Sequence, residues 1–500
     1  MIKRLLIANR GEIAVRIARA CREIGVESVA IYSEADTRAA HVVAADRAIP
    51  VGPAPVAESY LSIPRILAAA AATEADAVHP GYGLLSENAA FAAACESARL
   101  VFVGPPSDVI ARMGSKIAAR RLMQAAGVPV VPGETPIDQS DEGVSGAVMR
   151  VGLPAMVKAS AGGGGKGMRR ISAAGEIQES VQAARREAIA AFGDGTVYVE
   201  RALDRPRHVE VQVVADHHGH VAHLFERECS VQRRHQKVIE ESPSPALTSA
   251  LRKRMTEAAV RAATAAGYRN AGTVEFMLES LHDSEEPRFY FLEMNTRLQV
   301  EHPVTEAVVG VDLVRTQLLI ASGELLPWRQ DLLTQRGHAI EARIYAEDPG
   351  RGFLPQAGRV LLYREPRRPG VRIDSGIRER DTVSVHYDPL LAKVIACAES
   401  RELARRRLIA ALREFPVLGI HTNTPFLLRV LEHPRFVSGT VDTAFLEREG
   451  EALAETPGAE APPFVALAME TAGRGLAVGP SGAESRGAWD PWQRLGEWRR

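Results

Sequence analysis

Residues 156–169 read Met156-Val157-Lys158-Ala159-Ser160-Ala161-Gly162-Gly163-Gly164-Gly165-Lys166-Gly167-Met168-Arg169, the strongest local signal in the chain. Four successive glycines present backbone amides with no side chain in the way, so the segment is able to fold over phosphate oxygens as an anion-binding nest. Lys158, just ahead of it, adds a full positive charge. A glycine run alone fits a flexible surface loop equally well. This one lies between strand-like residues 155–158 and 169–171, which predicts a hairpin lid. No Gly-x-x-x-x-Gly-Lys-Ser/Thr occurs in the chain, so any triphosphate is held by a scaffold other than a P-loop.

On the N-terminal side, residues 1–114 alternate strand and helix patterns: a strand over 3–8, a helix over 12–24, a strand over 28–32, then apolar runs at 77–79 and 100–103. That alternation predicts a parallel, Rossmann-like sheet with crossover helices. Asn9-Arg10-Gly11-Glu12 sits at the first strand-to-helix turn but lacks Gly-x-Gly-x-x-Gly, which favours a plain tight turn. Residues 115–330, with the lid at about 131–204, form the second expected domain, and 337–446, of mixed strands with a helix over 401–414, the third. The last stretch, 451–500, has linker composition yet holds Trp489, Trp492 and Trp498, three of the four tryptophans. Clustered aromatics in a tail suggest a docking surface.

Charge narrows the function. With 61 basic and 62 acidic residues the net charge is -1, so no general field holds nucleic acid or an anionic membrane. No apolar run reaches membrane-spanning length, and the chain opens directly on a strand, so a cytoplasmic location is expected. Cys21, Cys95, Cys229 and Cys397 are far apart, which suggests neither a disulfide framework nor a zinc site. Lysine is scarce, at positions 3, 116, 158, 166, 237, 253 and 393 only. Because ammonium and guanidinium groups are not interchangeable at a phosphate, a lysine inside a polar cluster is informative here.

Lys116 opens a predicted helix and supplies a second ammonium for the same triphosphate. Residues 197–203, Val-Tyr-Val-Glu-Arg-Ala-Leu, read as a strand running into a bend, an edge of the sort that pairs with an adenine. In 208–213 the alternation places His208, Glu210 and Gln212 on one face, a pattern that a half-exposed sheet also produces. Gln232, His235 and Lys237 fall in a segment dense in hydrogen-bonding groups. The sharpest pattern is Phe291-Leu292-Glu293-Met294-Asn295-Thr296-Arg297-Leu298-Gln299-Val300-Glu301-His302. If extended, it puts Glu293, Asn295 and Arg297 on one face at steps of about 6.6 Å. Glu275 offers a second carboxylate from a neighbouring strand. Two carboxylates about 4 Å apart repel by roughly 4 kcal/mol at an effective dielectric of 20. A divalent cation removes that cost, and an all-oxygen donor set suits magnesium.

These segments, with Ile2-Lys3-Arg4-Leu5-Leu6-Ile7-Ala8-Asn9-Arg10-Gly11-Glu12-Ile13-Ala14, His79-Pro80-Gly81-Tyr82-Gly83-Leu84-Leu85-Ser86-Glu87-Asn88, Glu341-Ala342-Arg343-Ile344-Tyr345-Ala346-Glu347-Asp348-Pro349 and His386-Tyr387-Asp388-Pro389-Leu390-Leu391-Ala392-Lys393, resemble the ATP-grasp enzymes, specifically the biotin carboxylases. The resemblance runs from residue 2 to about 446 and implies an α/β chain: a Rossmann-like N-terminal domain, an ATP-grasp fold with a glycine-rich lid, and a mixed α+β C-terminal domain. It implies that bicarbonate is phosphorylated by ATP to carboxyphosphate, which supplies the carboxyl group of carboxybiotin.

By the same resemblance, Lys116, Lys158, Glu200, Arg201, Leu203, His208, Gln232 and His235 form the ATP site, and Gly163, Gly164, Gly165, Gly167 and Met168 belong to the lid. Glu275, Glu293 and Asn295 are implied ligands of magnesium or manganese. Arg297, Gln299 and the Val300 amide are implied to hold bicarbonate, Glu301 to deprotonate it, Lys237 to stabilise phosphoryl transfer, Arg343 to hold the biotin ureido oxygen, and Tyr82 to pack against biotin. Lys166 stands where some members carry arginine, which keeps the charge. No lysine follows Lys393, whereas fused subunits carry a biotinylated lysine in a C-terminal domain, so a separate biotin carboxyl carrier protein and a carboxyltransferase subunit are the expected partners. Asp490-Pro491-Trp492-Gln493-Arg494-Leu495 is similar to the junction before further domains in fused subunits, so a truncated fusion stays open. A homodimer is implied by the family. A carboxylate–amine ligase of the ATP-grasp type would share the lid and metal carboxylates but has no evident use for residues 297–301 and Arg343. A nucleotide-binding scaffold without catalysis would be marked by loss of a metal carboxylate or lid lysine, and none is lost.

Overall fold

The apolar run at the N-terminus forms strand β1 (Arg4–Ile7), whose last three residues are wholly buried, as expected of a parallel strand covered on both faces. The computed structural model describes residues 1–160, 167–279 and 287–454; Gly163, Gly164, Gly165 and Lys166 of the lid and Trp489, Trp492 and Trp498 of the tail lie outside the described residues. Helix α1 (Gly11–Ile24) follows β1 and ends at Gly25, whose φ of 73° supplies the left-handed residue that closes a helix. Strands β2 (Glu27–Ser33), β3 (Arg47–Gly52), β4 (Ala77–His79) and β5 (Val101–Phe102) complete a parallel sheet in the order β3-β2-β1-β4-β5. The predicted Rossmann-like sheet is therefore present, with its crossovers.

Helix α2 (Lys116–Ala125) starts where Ser115 accepts a hydrogen bond from the Ala118 amide, and its first amide donates to Ser160 O at 3.0 Å, which ties it to the glycine segment. The lid is an antiparallel sheet of β6 (Gly133–Glu134), β7 (Ala155–Ala159), β8 (Met168–Ile171) and β9 (Val197–Arg201) in the order β6-β9-β7-β8. Helices α3 (Asp141–Val151) and α4 (Ile177–Phe192) bury Val144, Val148 and Val181 against Val157 and Val199.

An eight-stranded antiparallel sheet is the largest in the described residues, with three two-stranded pairs beyond it. Its strands are β10 (Arg207–Ala215), β11 (Val221–Arg233), β12 (Gln236–Ser242), β13 (Asn270–Glu279), β14 (Arg288–Asn295), β15 (His338–Tyr345), β16 (Val371–Ser375) and β17 (Leu390–Ala398), in the order β14-β13-β10-β11-β12-β15-β17-β16. Helix α5 (Ser249–Ala265) covers Val209, Val211 and Val213 of β10 with Leu251, Met255 and Ala262. Each fully buried valine contributes roughly 1.5 to 3 kcal/mol. Helix α6 (His302–Val309) follows β14, and α7 (Arg401–Arg413) packs beyond β17. Among the described residues no helix is long and apolar enough to cross a membrane, and the four cysteines are free.

Burial decides between the two readings left open for β10. The alternation in β10 fits a half-exposed sheet on paper, but all nine of its residues are buried. The face opposite the α5 core carries His208, Glu210 and Gln212 inward, so this polar side is an interior site and not a solvated surface.

Candidate active site

A cavity of about 1040 Å³ opens where the lid, the eight-stranded sheet and the N-terminal segment meet. Lys158 on β7 reaches Glu200 Oε2 on β9 at 2.6 Å, and Arg120 of α2 holds the other Glu200 oxygen at 2.5 Å. Lys116 at the start of α2 donates to Glu293 Oε2 at 2.6 Å. Both lysines line the cavity, as do Leu203, Gln232, His235 and Met168. His235 stands at the exposed turn between β11 and β12, with Arg234 and His235 both at positive φ, 48° and 65°. Arg201 reaches the cavity as well, but its guanidinium is engaged by Glu279 at 2.7 and 2.9 Å and its amide donates to Pro132 O at 2.8 Å. Gly167 lies in the lid, immediately before its second hairpin strand. It adopts φ +70°, and a Cβ there would lie 2.8 Å from that of Ala159, so glycine is required for the lid hairpin to close.

The floor of the cavity is a charge network. Lys237 Nζ donates to Glu210 Oε2 at 2.5 Å, Glu275 Oε1 at 2.8 Å and Glu301 Oε1 at 2.6 Å. His208 Nε2 lies 3.0 Å from Glu275 Oε2. Burial alone would lower the His208 pKa, but Glu275 beside it raises it above its ordinary value. Behind them the fully buried Arg227 donates to Glu210 at 2.6 Å, Gln212 at 2.8 Å, Thr305 at 3.0 Å and Thr273 at 3.1 Å. Arg343 Nη2 donates to Glu301 Oε2 at 2.9 Å and lies 2.5 Å from Glu240 Oε1. Glu301 is 0% exposed. Burial pushes its carboxyl up, yet Lys237, Arg343 and Arg227 hold it well below the usual carboxylate range, so it is ionised.

Glu275 and Glu293 are direct cross-strand partners on β13 and β14, beside a bulge at Leu292. Asn295 Nδ2 is 2.8 Å from Glu275 Oε1. The donor set of two carboxylates and one amide oxygen fits a hard divalent cation such as magnesium. The strand ends at Asn295, so Arg297 does not share its face by strand alternation as expected; it turns back, donating to Gln299 Oε1 at 2.7 Å and Glu87 Oε2 at 2.9 Å. Gln299 Nε2 is 3.2 Å from Glu275 Oε1. Tyr82 donates its hydroxyl to Glu12 and lines the cavity. The segment Asn9–Glu12, read as a plain turn, lines the cavity, with Asn9 Nδ2 donating to Pro80 O at 2.7 Å and Tyr82 O at 2.8 Å.

Sequence reasoning missed Arg120, Arg227, Glu240 and Glu12, all acting from inside strands or helices where no local pattern sets them apart. For Lys393 a signal existed, since it is one of only seven lysines.

Three family models match the chain: "Biotin carboxylase, N-terminal domain" over residues 1–110, "Carbamoyl-phosphate synthase L chain, ATP binding domain" over 115–329, and "Biotin carboxylase C-terminal domain" over 341–448. A biotin carboxylase of Halalkalibacterium halodurans is 52% identical over 446 residues, covering 89% of this chain and 97% of the relative. The mitochondrial methylcrotonoyl-CoA carboxylase subunit alpha of Rattus norvegicus is 50% identical over 91% of this chain, and the chain spans 63% of that relative's length. Among solved structures, the biotin carboxylase domain dimer of Hydrogenobacter thermophilus 2-oxoglutarate carboxylase, in complex with MgADP, ADP and bicarbonate, matches with a TM-score of 0.86 and 41% identity, covering 91% of this chain and 99% of that one. The buried lysine–carboxylate floor, the lid and the cross-strand carboxylate pair thus occur in a chain that belongs to the biotin carboxylase family.

Proposed function

We propose that this chain carboxylates biotin with ATP and bicarbonate, and that it does so at the cavity floored by Lys237. The observation that carries the reading is the position of one ammonium against three buried carboxylates, Glu210, Glu275 and Glu301, with Arg343 on the far side of Glu301. Bicarbonate is a poor nucleophile until it loses its proton, and Glu301 is the ionised acceptor beside it. As it stands, Glu301 is a weak base because Lys237 and Arg343 both neutralise it. In the loaded site Lys237 turns to the phosphoryl oxygens and Arg343 to the ureido oxygen, and the departure of both cations raises the basicity of Glu301 when it is needed.

The dianion, paired with Arg297, Gln299 and the Val300 amide, attacks the γ-phosphoryl group and forms carboxyphosphate, with ADP leaving. Lys116, Lys158, Glu200, Leu203, His208, Gln232 and His235 hold the nucleotide, with Met168 and Arg201 at its edge. Glu275, Glu293 and Asn295 hold magnesium or manganese, which when bound screens the charge of the phosphates. Carboxyphosphate breaks to carbon dioxide and phosphate, and phosphate takes the biotin nitrogen proton while Arg343 steadies the enolate-like ureido oxygen and Tyr82 packs the ring. A closed lid excludes water that would hydrolyse the intermediate.

The same reading divides the chain into 1–114, 115–330, 337–446 and a tail from 451. It places the protein in the cytoplasm as a homodimer that serves a biotin carboxyl carrier and a carboxyltransferase. The carrier lysine lies outside these 500 residues, since no lysine follows Lys393 within them. Purified protein given MgATP, bicarbonate and free biotin is expected to release phosphate in a biotin-dependent way; turnover that ignores biotin counts against the assignment.

A further inference from the structure

Lys393 has no exposed surface and sits on β17 directly across from Arg343 on β15. Two cations as direct cross-strand neighbours in a sheet repel, and burying both makes the arrangement costlier. Their contacts explain the pairing. Arg343 holds the Glu301 carboxylate at 2.9 Å, and Lys393 Nζ donates to the carbonyl of the preceding residue, Val300, at 2.7 Å. Adjacent residues of one chain segment are thus gripped by adjacent residues of two strands. Lys393 Nζ also lies 3.1 Å from Glu12 Oε1, the carboxylate that accepts the Tyr82 hydroxyl. Glu12 comes from the first turn of α1, Val300 from the segment after β14, and Lys393 from β17, so a single ammonium joins three separate parts of the chain.

We propose that Lys393 is a positioning residue for the carboxylation: its ammonium fixes the Val300–Glu301 peptide on the bicarbonate side and, through Glu12, the Tyr82 ring on the biotin side. The inference rests on the proposed placement of bicarbonate and biotin. A register slip of one residue between β15 and β17 would turn Lys393 to the other face and release both. Met in its place keeps the length and apolar stem but takes the ammonium donor from the Val300 carbonyl and leaves Glu12 with the Tyr82 hydroxyl in place of a cation, and the loss of a charged donor to a buried acceptor is the larger kind of hydrogen-bond deletion.

The test uses the full chain with Lys393→Met, the double variant Glu12→Gln/Lys393→Met, in which both members of the Lys393–Glu12 ion pair are neutral, and Glu12→Gln by itself. Thermal melting and MgATP affinity show which variants fold. In either lysine variant the KM for bicarbonate is expected to rise about tenfold or more, as a lost charge-assisted hydrogen bond would cause, while the KM for ATP stays within about threefold. In Glu12→Gln the KM for biotin rises and that for bicarbonate holds. A bicarbonate KM that stays within about twofold of the parent in a folded lysine variant overturns the proposal, as that hydrogen bond would then be of no consequence. If neither lysine variant folds, an unchanged biotin KM in Glu12→Gln overturns it instead. Failure of the broader reading looks different, because the parent protein itself would then show no biotin-dependent turnover.

Discussion

Glu275 and Glu293 face one another across β13 and β14, and each is held by its own lysine: Lys237 lies 2.8 Å from Glu275, and Lys116 lies 2.6 Å from Glu293. The two carboxylates therefore stay neutralised without a metal. Chelation of divalent cations is expected to stop phosphate release while melting remains cooperative, with a midpoint within a few degrees of the untreated protein. Glu293→Gln is expected to raise the magnesium concentration for half-maximal turnover by about tenfold or more, since a carboxylate is replaced by a neutral amide. Titration of turnover against magnesium measures this.

Arg343 shares the carboxylates of Glu301 and Glu240. Arg343→Ala is expected to remove the biotin dependence of phosphate release while nucleotide affinity changes little. Glu301→Gln keeps the shape but removes the proton acceptor, so carboxylation is expected to fall about 100-fold or more, the usual scale of a general base. Calorimetric MgATP binding by Glu301→Gln is expected to match the parent; if it is lost, the base has been placed wrongly.

Lys158 and Arg120 divide the two oxygens of Glu200. Lys158→Met leaves Glu200 with Arg120, so the fold is expected to survive, while the KM for ATP rises about tenfold or more through loss of a charged phosphate contact. The bicarbonate KM, set on the far side of the cavity, is expected to hold. Steady-state kinetics with each substrate varied separates the two.

Burial lowers the His41 imidazole to about 4, against the pull of Asp36. An unfolded histidine titrates near 6.5, so as pH falls below that value the unfolded chain gains a proton that the folded chain refuses. The stability due to neutral His41 is present above about pH 6.5 and is lost down to about pH 4, on the order of 3 kcal/mol in all. Glu240 acts in the other sense, since burial raises its carboxyl to about 7 and its share grows as pH falls from there. The difference between parent and His41→Gln isolates the histidine. The parent's Tm is expected to fall more steeply than the variant's between pH 6.5 and 4.

Much of this was readable in advance. The strands read over 3–8, 28–32 and 77–79 form at 4–7, 27–33 and 77–79, and the lid hairpin and the helix beginning at Lys116 are present as periodicity and glycine placement had them. The polar face of β10 was not, because alternation reports which residues share a side and is silent on what covers that side. The partners of Lys393 were hidden for another reason. Glu12 is 381 positions away and Val300 is 93, so only the assembled sheet brings them together. Arg297 was found by its motif, but its placement on the strand face failed because β14 stops at Asn295 and the chain turns.

The pairing of β12 with β15 carries a practical consequence for anyone dividing this chain. Ser242, Glu241, Glu240 and Ile239 are zipped to residues 339–342, so a fragment ending in the 331–336 stretch would keep Lys116, Lys158, Glu200, Gln232 and Lys237 and yet bare a row of unpaired amides and carbonyls along β12. Raw strand edges of that kind seek other chains. The excised piece would tend toward precipitation, and the half that remained would have lost the Arg343 grip on Glu301 together with its border.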